Sequence, residues 1–391
     1  MKRINPIKDE LIVRRHLAAY WKAVCAALDE LVACRPVVWR DMRSKHCFVR
    51  RKNNLIDACS RPYGMDWSYV RMVRVLCETT NVLVGEPKEL SALAAAARRL
   101  DGIIDTTFPS AFPSSAKLRD EWACGKQKVA ALFSYERFCA GERLVVEDDG
   151  TGARFFHWET DPKWSAWHYV LALRVGVCCY CNAGEVFAIE ISRNDPPTTL
   201  SEVEQCRRRR SALDHYWGHA QYPFLGISLC NLIPACTRCN TNFKGDKPYD
   251  MKTYLHPYAD DFDGAVRFFA LFRGYAALSC PEDEDVTVVI RPSGEASREL
   301  SARAMASSQF FHLEEVYNQT YRWAVANAIR RSLLLPDSYY EDIQRRCPQI
   351  DSAVCNRTIF GVDLDPSAIN RHPLAKMTRD IFVQLRGNSH S

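Results

Sequence analysis

The chain has 391 residues, of which 47% are hydrophobic and 25% are charged, and its formal net charge is +5. This size and composition are typical of a globular protein with more than one domain, and the small net charge excludes a polycation that binds nucleic acid over its whole surface. No apolar run is long enough to span a bilayer, and no apolar segment follows the basic N-terminus, so we expect neither a membrane protein nor a secreted one. The 17 cysteines, an odd number, then favour free thiols in a reducing cytoplasm.

The first third of the chain is predicted to be mostly helical. Residues 8–34 have apolar side chains at the spacing of one helical face, namely at Leu17, Trp21, Val24, Leu28 and Leu31. Residues 89–100 contain many strong helix formers, and Asp101-Gly102 is expected to end that helix. Residues 108–117, with two prolines and three serines, predict a loop.

The central part of the chain combines strands with short helices. Residues 144–158 have two apolar and aromatic runs around a glycine-containing turn, which predicts a β-hairpin. An aromatic helix is expected over residues 164–174, and strands are expected over residues 186–191 and 210–216. A loop rich in aromatic residues and glycine follows, and a short helix is expected from Cys236 onward, which gives a ββα order.

The last third is predicted to contain one clear strand, residues 286–290, and two helices, residues 311–332 and 375–385. The fold class that follows is α+β and mostly helical, with a central ββα module between helical N-terminal and C-terminal regions. We divide the chain accordingly into residues 1–163, 164–265 and 266–391.

Two Cys-x-x-Cys pairs predict a metal site, formed by Cys178, Cys181, Cys236 and Cys239. Two residues between ligands let both sulfurs of a pair reach one ion, and Zn²⁺ takes four such ligands in a tetrahedron. A closed four-Cys site is structural, because no position remains open for water, and it would hold together a small ββα unit. The alternatives are two unrelated pairs, or a different ligand set that includes Cys179 or Cys230.

Polar residues with the chemistry of a phosphodiesterase lie between and beside these cysteines. His215 is suited to take a proton from water near neutral pH, and Asp214 and Asn240 offer oxygen ligands for Mg²⁺ or Mn²⁺. Asn240 directly follows a cysteine of the predicted zinc site, which would aim its side chain. An ion held by two protein groups keeps open positions for a phosphate oxygen and a leaving oxygen. The alternative is that these residues only stabilise turns; His219 and His256 are expected to lie on the surface or behind the site.

Residues 178–247 resemble an HNH endonuclease of the His-Me finger superfamily, of the type with a four-Cys zinc site. The matching segments are CYC at 179–181, LDHYW at 213–217, YPFLGISLCNLIPACTRCN at 222–240 and KGDK at 244–247. Two later segments are similar to bacterial HNH proteins of defence and mobile-element loci, namely HPYADDF at 256–262 and RTIFG…HPLAKMTRDI at 357–381.

The resemblance implies a role for each matching polar residue: general base for His215, metal ligands for Asp214 and Asn240, loop support and orientation of the base for Asn231, and a phosphate contact for Lys244. One departure concerns the end of the motif. The family often has two residues between its final His or Asn and the lysine, whereas this chain has three after Asn240. Asn242 is therefore a rival for the second metal ligand.

The resemblance implies hydrolysis of DNA, and we expect the function to lie in bacterial anti-phage defence. Residues predicted to contact DNA phosphates are Arg207, Arg208, Arg209, Arg210, Arg238 and Lys247. The alternative for this basic run is a solvated loop. Two other functions stay open: a non-catalytic zinc ribbon that binds nucleic acid, and an HNH subunit that is active only with a protein partner such as an ATPase.

Overall fold

The computed structural model describes residues 3–33, 37–39, 67–107, 113–189, 209–275, 277 and 282–387. Its α-helices are α1 (Glu10–Val32), α2 (Trp67–Thr79), α3 (Pro87–Thr107), α4 (Pro113–Leu132), α5 (Tyr135–Ala140), α6 (Ala166–Leu173), α7 (Phe262–Ala265), α8 (Arg298–Phe310), α9 (Leu313–Glu315), α10 (Arg322–Leu334), α11 (Asp337–Arg346), α12 (Ser352–Ile359) and α13 (Ala375–Arg386). Its strands are β1 (Val38–Trp39), β2 (Glu142–Asp148), β3 (Arg154–Thr160), β4 (Ala212–His215), β5 (Leu232–Ala235), β6 (Val266–Phe272) and β7 (Val286–Pro292). The remaining regular segments are two π-helices, Arg238–Lys244 and Val316–Thr320, and 3-10 helices at Pro6–Lys8, Pro223–Leu225, Leu229–Asn231 and Pro366–Asn370.

The strands form three small sheets among the described residues, so the mostly helical α+β fold class is confirmed. The first sheet has the order β1-β3-β2, in which β1 runs parallel to β3 and β2 is antiparallel to it. The predicted hairpin is confirmed by the β2–β3 pair, whose turn places Gly150 at φ +78°. The other two sheets are the antiparallel pairs β4–β5 and β6–β7.

The two helices predicted in the first third of the chain are present, but the predicted end of the second helix and the predicted loop after it are wrong. Helix α3 continues through Asp101-Gly102 to its end at Thr107. The Asp101 carboxylate accepts hydrogen bonds from Trp122 Nε1 at 2.7 Å and from Lys126 Nζ at 2.9 Å, so it does not compete for the helix backbone. The loop predicted over residues 108–117 is wrong from Pro113 onward, where α4 begins with a proline at a position that suits the first turn. Residues 108–112 lie outside the described residues.

The strand predicted over residues 210–216 is present as β4, but its partner differs from the predicted order of strands. Strand β4 pairs with β5, which the sequence predicts as part of a loop. The proline at position 234 explains the error, because proline inside a short segment usually argues against a strand; here its carbonyl accepts a hydrogen bond from Cys179 N at 3.1 Å. Ala188 makes only an isolated bridge to Arg210, and residues 190–191 lie outside the described residues.

The β6–β7 hairpin has helix side chains along both edges. On the β7 edge, Asn318 exchanges two hydrogen bonds of 2.7 Å with the Val288 backbone, and Glu314 accepts from Ile290 N at 2.7 Å. On the β6 edge the same pattern is made by α13, through Asp380 to Phe268 N and Gln384 to Ala270 N and O. Helix side chains four residues apart can bond strand residues two apart because the two spacings are similar, about 6 Å along the helix and about 6.7 Å along the strand.

This edge contact also explains why the helix predicted over residues 311–332 is interrupted. It is divided into α9, the π-helix Val316–Thr320 and α10. The wide turn lies beside β7, where the Asn318 amide bonds the strand backbone. Side-chain contacts of this kind cannot be seen in hydrophobic periodicity.

We expect Asn318→Leu to lower the free energy of unfolding by about 1–3 kcal/mol, because the buried N–H and C=O of Val288 both lose their partner. Urea unfolding measures the loss, and hydrogen exchange of the Val288 amide should accelerate. Gln319→Leu is the matched control, since Gln319 is the next residue and is exposed. Equal stability of the two variants would contradict an edge-capping role.

One hydrophobic core joins the three regions that the sequence distinguishes. Val24 of α1, Phe133, Ile233 of β5 and Ile329 of α10 are all buried members of it. A smaller cluster lies near the C-terminus and contains Tyr340, Cys355, Ile359, Phe360, Val362 and Phe382. Within the described ranges, no helix combines the length and the apolar character that crossing a bilayer requires.

Candidate metal centre and histidine site

The two Cys-x-x-Cys pairs converge. The Sγ atoms of Cys178, Cys181, Cys236 and Cys239 all lie within 4.8 Å of one another. Cys181 Sγ and Cys236 Sγ are 3.9 Å apart, and zinc–sulfur bonds of about 2.3 Å in a tetrahedron would separate sulfurs by about 3.8 Å. Cys179 and Cys230 are buried elsewhere and do not belong to the cluster. The cluster is therefore consistent with a structural Zn²⁺ site.

A tight turn carries the first pair. The carbonyl of Gly184 accepts from Cys178 N at 2.8 Å, and Gly184 N donates to Cys181 Sγ at 3.4 Å. A Cβ added to Gly184 would lie 2.7 Å from the Cβ of Cys236, so the second pair can approach only a glycine. Hydrogen bonds from the three other thiols lower the pKa of Cys236, which favours a thiolate there.

The C-terminal region holds this turn in place. Asn182 is buried; its side chain donates to Ile369 O at 2.7 Å and accepts from Lys376 N at 3.1 Å. Tyr317 OH donates to Cys181 O at 2.9 Å. Residues 357–381, one of the segments that carry the resemblance, thus contact the turn that carries the first cysteine pair.

His215 ends strand β4 and is half-buried. Its Nε2 lies 2.9 Å from Gly226 O. A carbonyl oxygen only accepts, so Nε2 carries the proton and Nδ1 keeps a lone pair. Burial lowers the pKa of His215 to about 3, although the Gly226 hydrogen bond opposes the shift, so the ring is neutral at physiological pH. The rings of Tyr135 and His219 flank it, with centroids at 4.7 and 4.8 Å.

Asn231 is buried and ties together the ends of the loop that leads from β4 to β5. Its Oδ1 accepts from Trp217 N at 2.7 Å, and its Nδ2 donates to Trp217 O at 3.0 Å and to Leu225 O at 2.9 Å. These three hydrogen bonds close the loop that presents Gly226 to His215.

The two other histidines near the site differ in burial. His256, expected on the surface or behind the site, is fully buried against Tyr216, with ring centroids 4.2 Å apart, whereas His219 is exposed.

Asp214 points to the opposite side of the strand from His215, as neighbouring strand residues do. Its Oδ1 accepts from Lys244 Nζ at 3.0 Å and its Oδ2 from Tyr180 OH at 2.6 Å. Lys244 Nζ also donates to His215 O at 2.7 Å. Burial raises the pKa of Asp214, while the lysine and the tyrosine oppose the rise.

The oxygens around Lys244 are donors of the type that Mg²⁺ and Mn²⁺ prefer. They already surround an ammonium group, and the side chains of Lys244 and Asp214 are only 3% and 4% exposed. Both carboxylate oxygens of Asp214 are thus engaged in this structure, one by Lys244 and the other by Tyr180. Tyr180, whose hydroxyl donates to Asp214 Oδ2, lies inside the first Cys-x-x-Cys, and no spacing in the sequence predicts this contact.

The short helix predicted from Cys236 onward is present as the π-helix Arg238–Lys244, which begins within the second Cys-x-x-Cys. Gly245 N donates to Asn240 O at 2.9 Å, a bond that spans five residues instead of four. The additional residue between Asn240 and Lys244 is absorbed in this wide turn. Asn240 is half-buried and Asn242 is exposed, and neither side chain hydrogen-bonds another described residue.

The basic residues predicted to contact DNA differ in their surroundings. Arg210 is only 3% exposed, and its guanidinium donates to Ser211 O, Cys139 Sγ and Tyr135 OH, so it does not belong to an exposed basic face. Arg238 is half-buried against Tyr321, with its guanidinium 5.4 Å from the ring centroid. Arg209 is half-buried and Lys247 is exposed; Arg207 and Arg208 lie outside the described residues.

No family model, no curated protein and no solved structure matches this chain. The four-Cys cluster and the geometry around His215 therefore carry the functional argument.

Proposed function

We propose that this chain is a metal-dependent HNH endonuclease that hydrolyses DNA phosphodiester bonds and holds a structural zinc ion at its four cysteines. The observation that carries the proposal is the hydrogen bond from His215 Nε2 to Gly226 O. It leaves Nδ1 with a lone pair on a half-buried ring at the end of a strand, which is the form a general base requires. Asp214 directly precedes His215 in the chain, and the loop that Asn231 closes follows it, which is the order that the resemblance implies.

In the proposed reaction His215 Nδ1 accepts a proton from a water molecule. The resulting hydroxide forms a bond to phosphorus while the bond to the leaving oxygen breaks, and that oxygen takes a proton from solvent. The Gly226 carbonyl, on the other ring nitrogen, stabilises the positive charge that develops on His215. A bound phosphodiester, which is negatively charged, also favours the protonated ring and so counteracts the effect of burial.

A Mg²⁺ or Mn²⁺ ion held by Asp214, with Asn240 or its rival Asn242, would stabilise negative charge on the phosphate and leaving oxygens. Lys244, once released from Asp214, is free to contact the phosphate with its ammonium group. Arg209, Arg238 and Lys247 supply further positive charge, which positions a DNA backbone without reading its sequence. Together with the resemblance of the flanking segments, this favours a role in bacterial defence against phage DNA.

The experiment is cleavage of supercoiled plasmid by the purified chain with Mg²⁺ or Mn²⁺. We expect His215→Ala to lower the cleavage rate by about 10²–10⁴-fold, the usual contribution of a general base, with zinc content and circular dichroism unchanged. His219→Ala, which removes the exposed neighbouring histidine, is the matched control. Equal cleavage by wild type and His215→Ala would rule out His215 as the base.

The engagement of both Asp214 oxygens by Lys244 and Tyr180 favours a second candidate, an HNH subunit that is active only with a protein partner such as an ATPase. In that case the isolated chain binds DNA without cutting it, and cleavage appears when the partner is added. A zinc-ribbon module without chemistry would bind DNA equally well as wild type and as His215→Ala. It would not cleave DNA, whether or not the partner is added.

A further inference from the structure

Three consecutive carbonyls in the loop between β4 and β5 each accept a hydrogen bond from a different buried or half-buried side chain. Leu225 O accepts from Asn231 Nδ2 at 2.9 Å, Gly226 O from His215 Nε2 at 2.9 Å, and Ile227 O from His16 Nε2 at 2.7 Å. His16 belongs to α1, 211 residues away in the chain. Gly226 O, which orients His215, is therefore next to Ile227 O, which His16 of the N-terminal region anchors.

His16 is fixed on both ring nitrogens. It is fully buried, its Nδ1 accepts from Trp164 Nε1 at 3.0 Å, and its Nε2 donates to Ile227 O. Burial lowers the pKa of His16 to about 3, so it is a neutral donor of fixed direction. The next anchor along the loop is a backbone bond of 2.9 Å from Leu229 N to Leu83 O. Two separate parts of the N-terminal region therefore hold the loop.

Residues 133–135 close the site from the other side. A Cβ added to Gly226 would lie 2.6 Å from Phe133 O, so the loop backbone rests on this segment and admits no larger residue there. The ring of Tyr135 meets His215 edge-on, at 4.7 Å and 75°. Its hydroxyl accepts from Arg210, which also donates to Ser211 O just before β4. The N-terminal region thus contacts both His215 and its hydrogen-bond acceptor.

We infer that His16 and Tyr135 are positioning residues for His215: His16 holds the 225–227 loop so that Gly226 O keeps the proton on Nε2, and Tyr135 holds the ring so that Nδ1 faces solvent. The inference rests on the proposed function and makes the N-terminal region an indispensable part of the nuclease site. If the Gly226 carbonyl moves, the proton can shift to Nδ1, and Nδ1 then has no lone pair with which to accept a proton from water.

The test uses the full chain, with His16→Phe and Tyr135→Met as variants that conserve apolar volume. Nitrogen-15 spectra of the histidine rings at fixed pH report which His215 nitrogen carries the proton, whether or not the protein cleaves DNA. We expect wild type to show the Nε2-protonated form alone and both variants to show a fraction protonated at Nδ1. We also expect kcat for plasmid cleavage to fall on the order of 10- to 100-fold, as for a misplaced catalytic group, with KM and zinc content unchanged.

Tyr20→Phe is the matched control, because Tyr20 is also a buried residue of α1; the change removes only its hydrogen bond to Glu142 O and keeps the ring that packs against His16. It should lose stability without any change in the His215 signals. Unchanged His215 signals in either folded variant would overturn the inference, and Tyr135→Met preserves this test if His16→Phe does not fold. Failure of the proposed function would appear separately, as cleavage that survives His215→Ala.

Discussion

Cys236→Ser is expected to purify with much less than one equivalent of zinc per chain and to unfold at a lower temperature than wild type. The four Sγ atoms lie within 4.8 Å of one another, and Cys236 contributes one of them. Structural zinc sites have apparent binding free energies of about 10–16 kcal/mol in small fingers, so loss of one of the four ligands should remove several kcal/mol. Elemental analysis and thermal unfolding measure the two effects.

The destabilisation should extend beyond the cysteines, because the first metal-binding turn is also the contact for the C-terminal region. Asn182 bonds Ile369 O and Lys376 N, so amide exchange around the start of α13 should accelerate in the variant. Cys179→Ser is the matched control: it is the same substitution next to a ligand, at a sulfur outside the cluster. Zinc content that is equal in wild type and Cys236→Ser would show that the four cysteines do not bind it.

Lys244→Met is expected to lower the free energy of unfolding by about 3–5 kcal/mol, the usual cost of leaving one partner of a buried ion pair uncompensated. The lysine and Asp214 are 3.0 Å apart, with side chains 3% and 4% exposed. Replacing Asp214 by Asn in the same chain removes the unpaired charge, so the double variant should recover part of the loss. Urea unfolding of the two single variants and the double variant measures this coupling.

Lys247→Met is the control for that series. Lys247 is exposed, and its ammonium lies 5.8 Å from the centroid of the Phe310 ring, a contact worth about 0.5–1 kcal/mol at such sites. A Lys244→Met variant no less stable than Lys247→Met would contradict the buried pair. So would a double variant with Asp214→Asn that is no more stable than Lys244→Met alone.

Local patterns in the sequence predicted the elements whose stability depends on near neighbours. The periodic apolar residues of α1 and the two runs of the β2–β3 hairpin are of this kind, and both elements are confirmed. The predictions failed where a distant partner intervenes. Asp101-Gly102 looks like a helix end, but the aspartate bonds Trp122 and Lys126 of another helix, and α3 continues. Proline in β5 hides a strand that is stabilised by its pairing with β4.

The candidate site shows the same division. The four-Cys cluster could be predicted from the sequence, because two ligands spaced by two residues form one half of a metal site wherever the chain brings the halves together. The position of His215 at the end of a strand beside Asp214 could be predicted as well. The contacts of these residues could not, because their partners come from elsewhere in the chain: Lys244 and Tyr180 for Asp214, and Gly226 O for His215. His16 and Tyr135 carry no recognisable pattern, because their role depends on a fold that brings residues up to 211 positions apart within 2.7 Å.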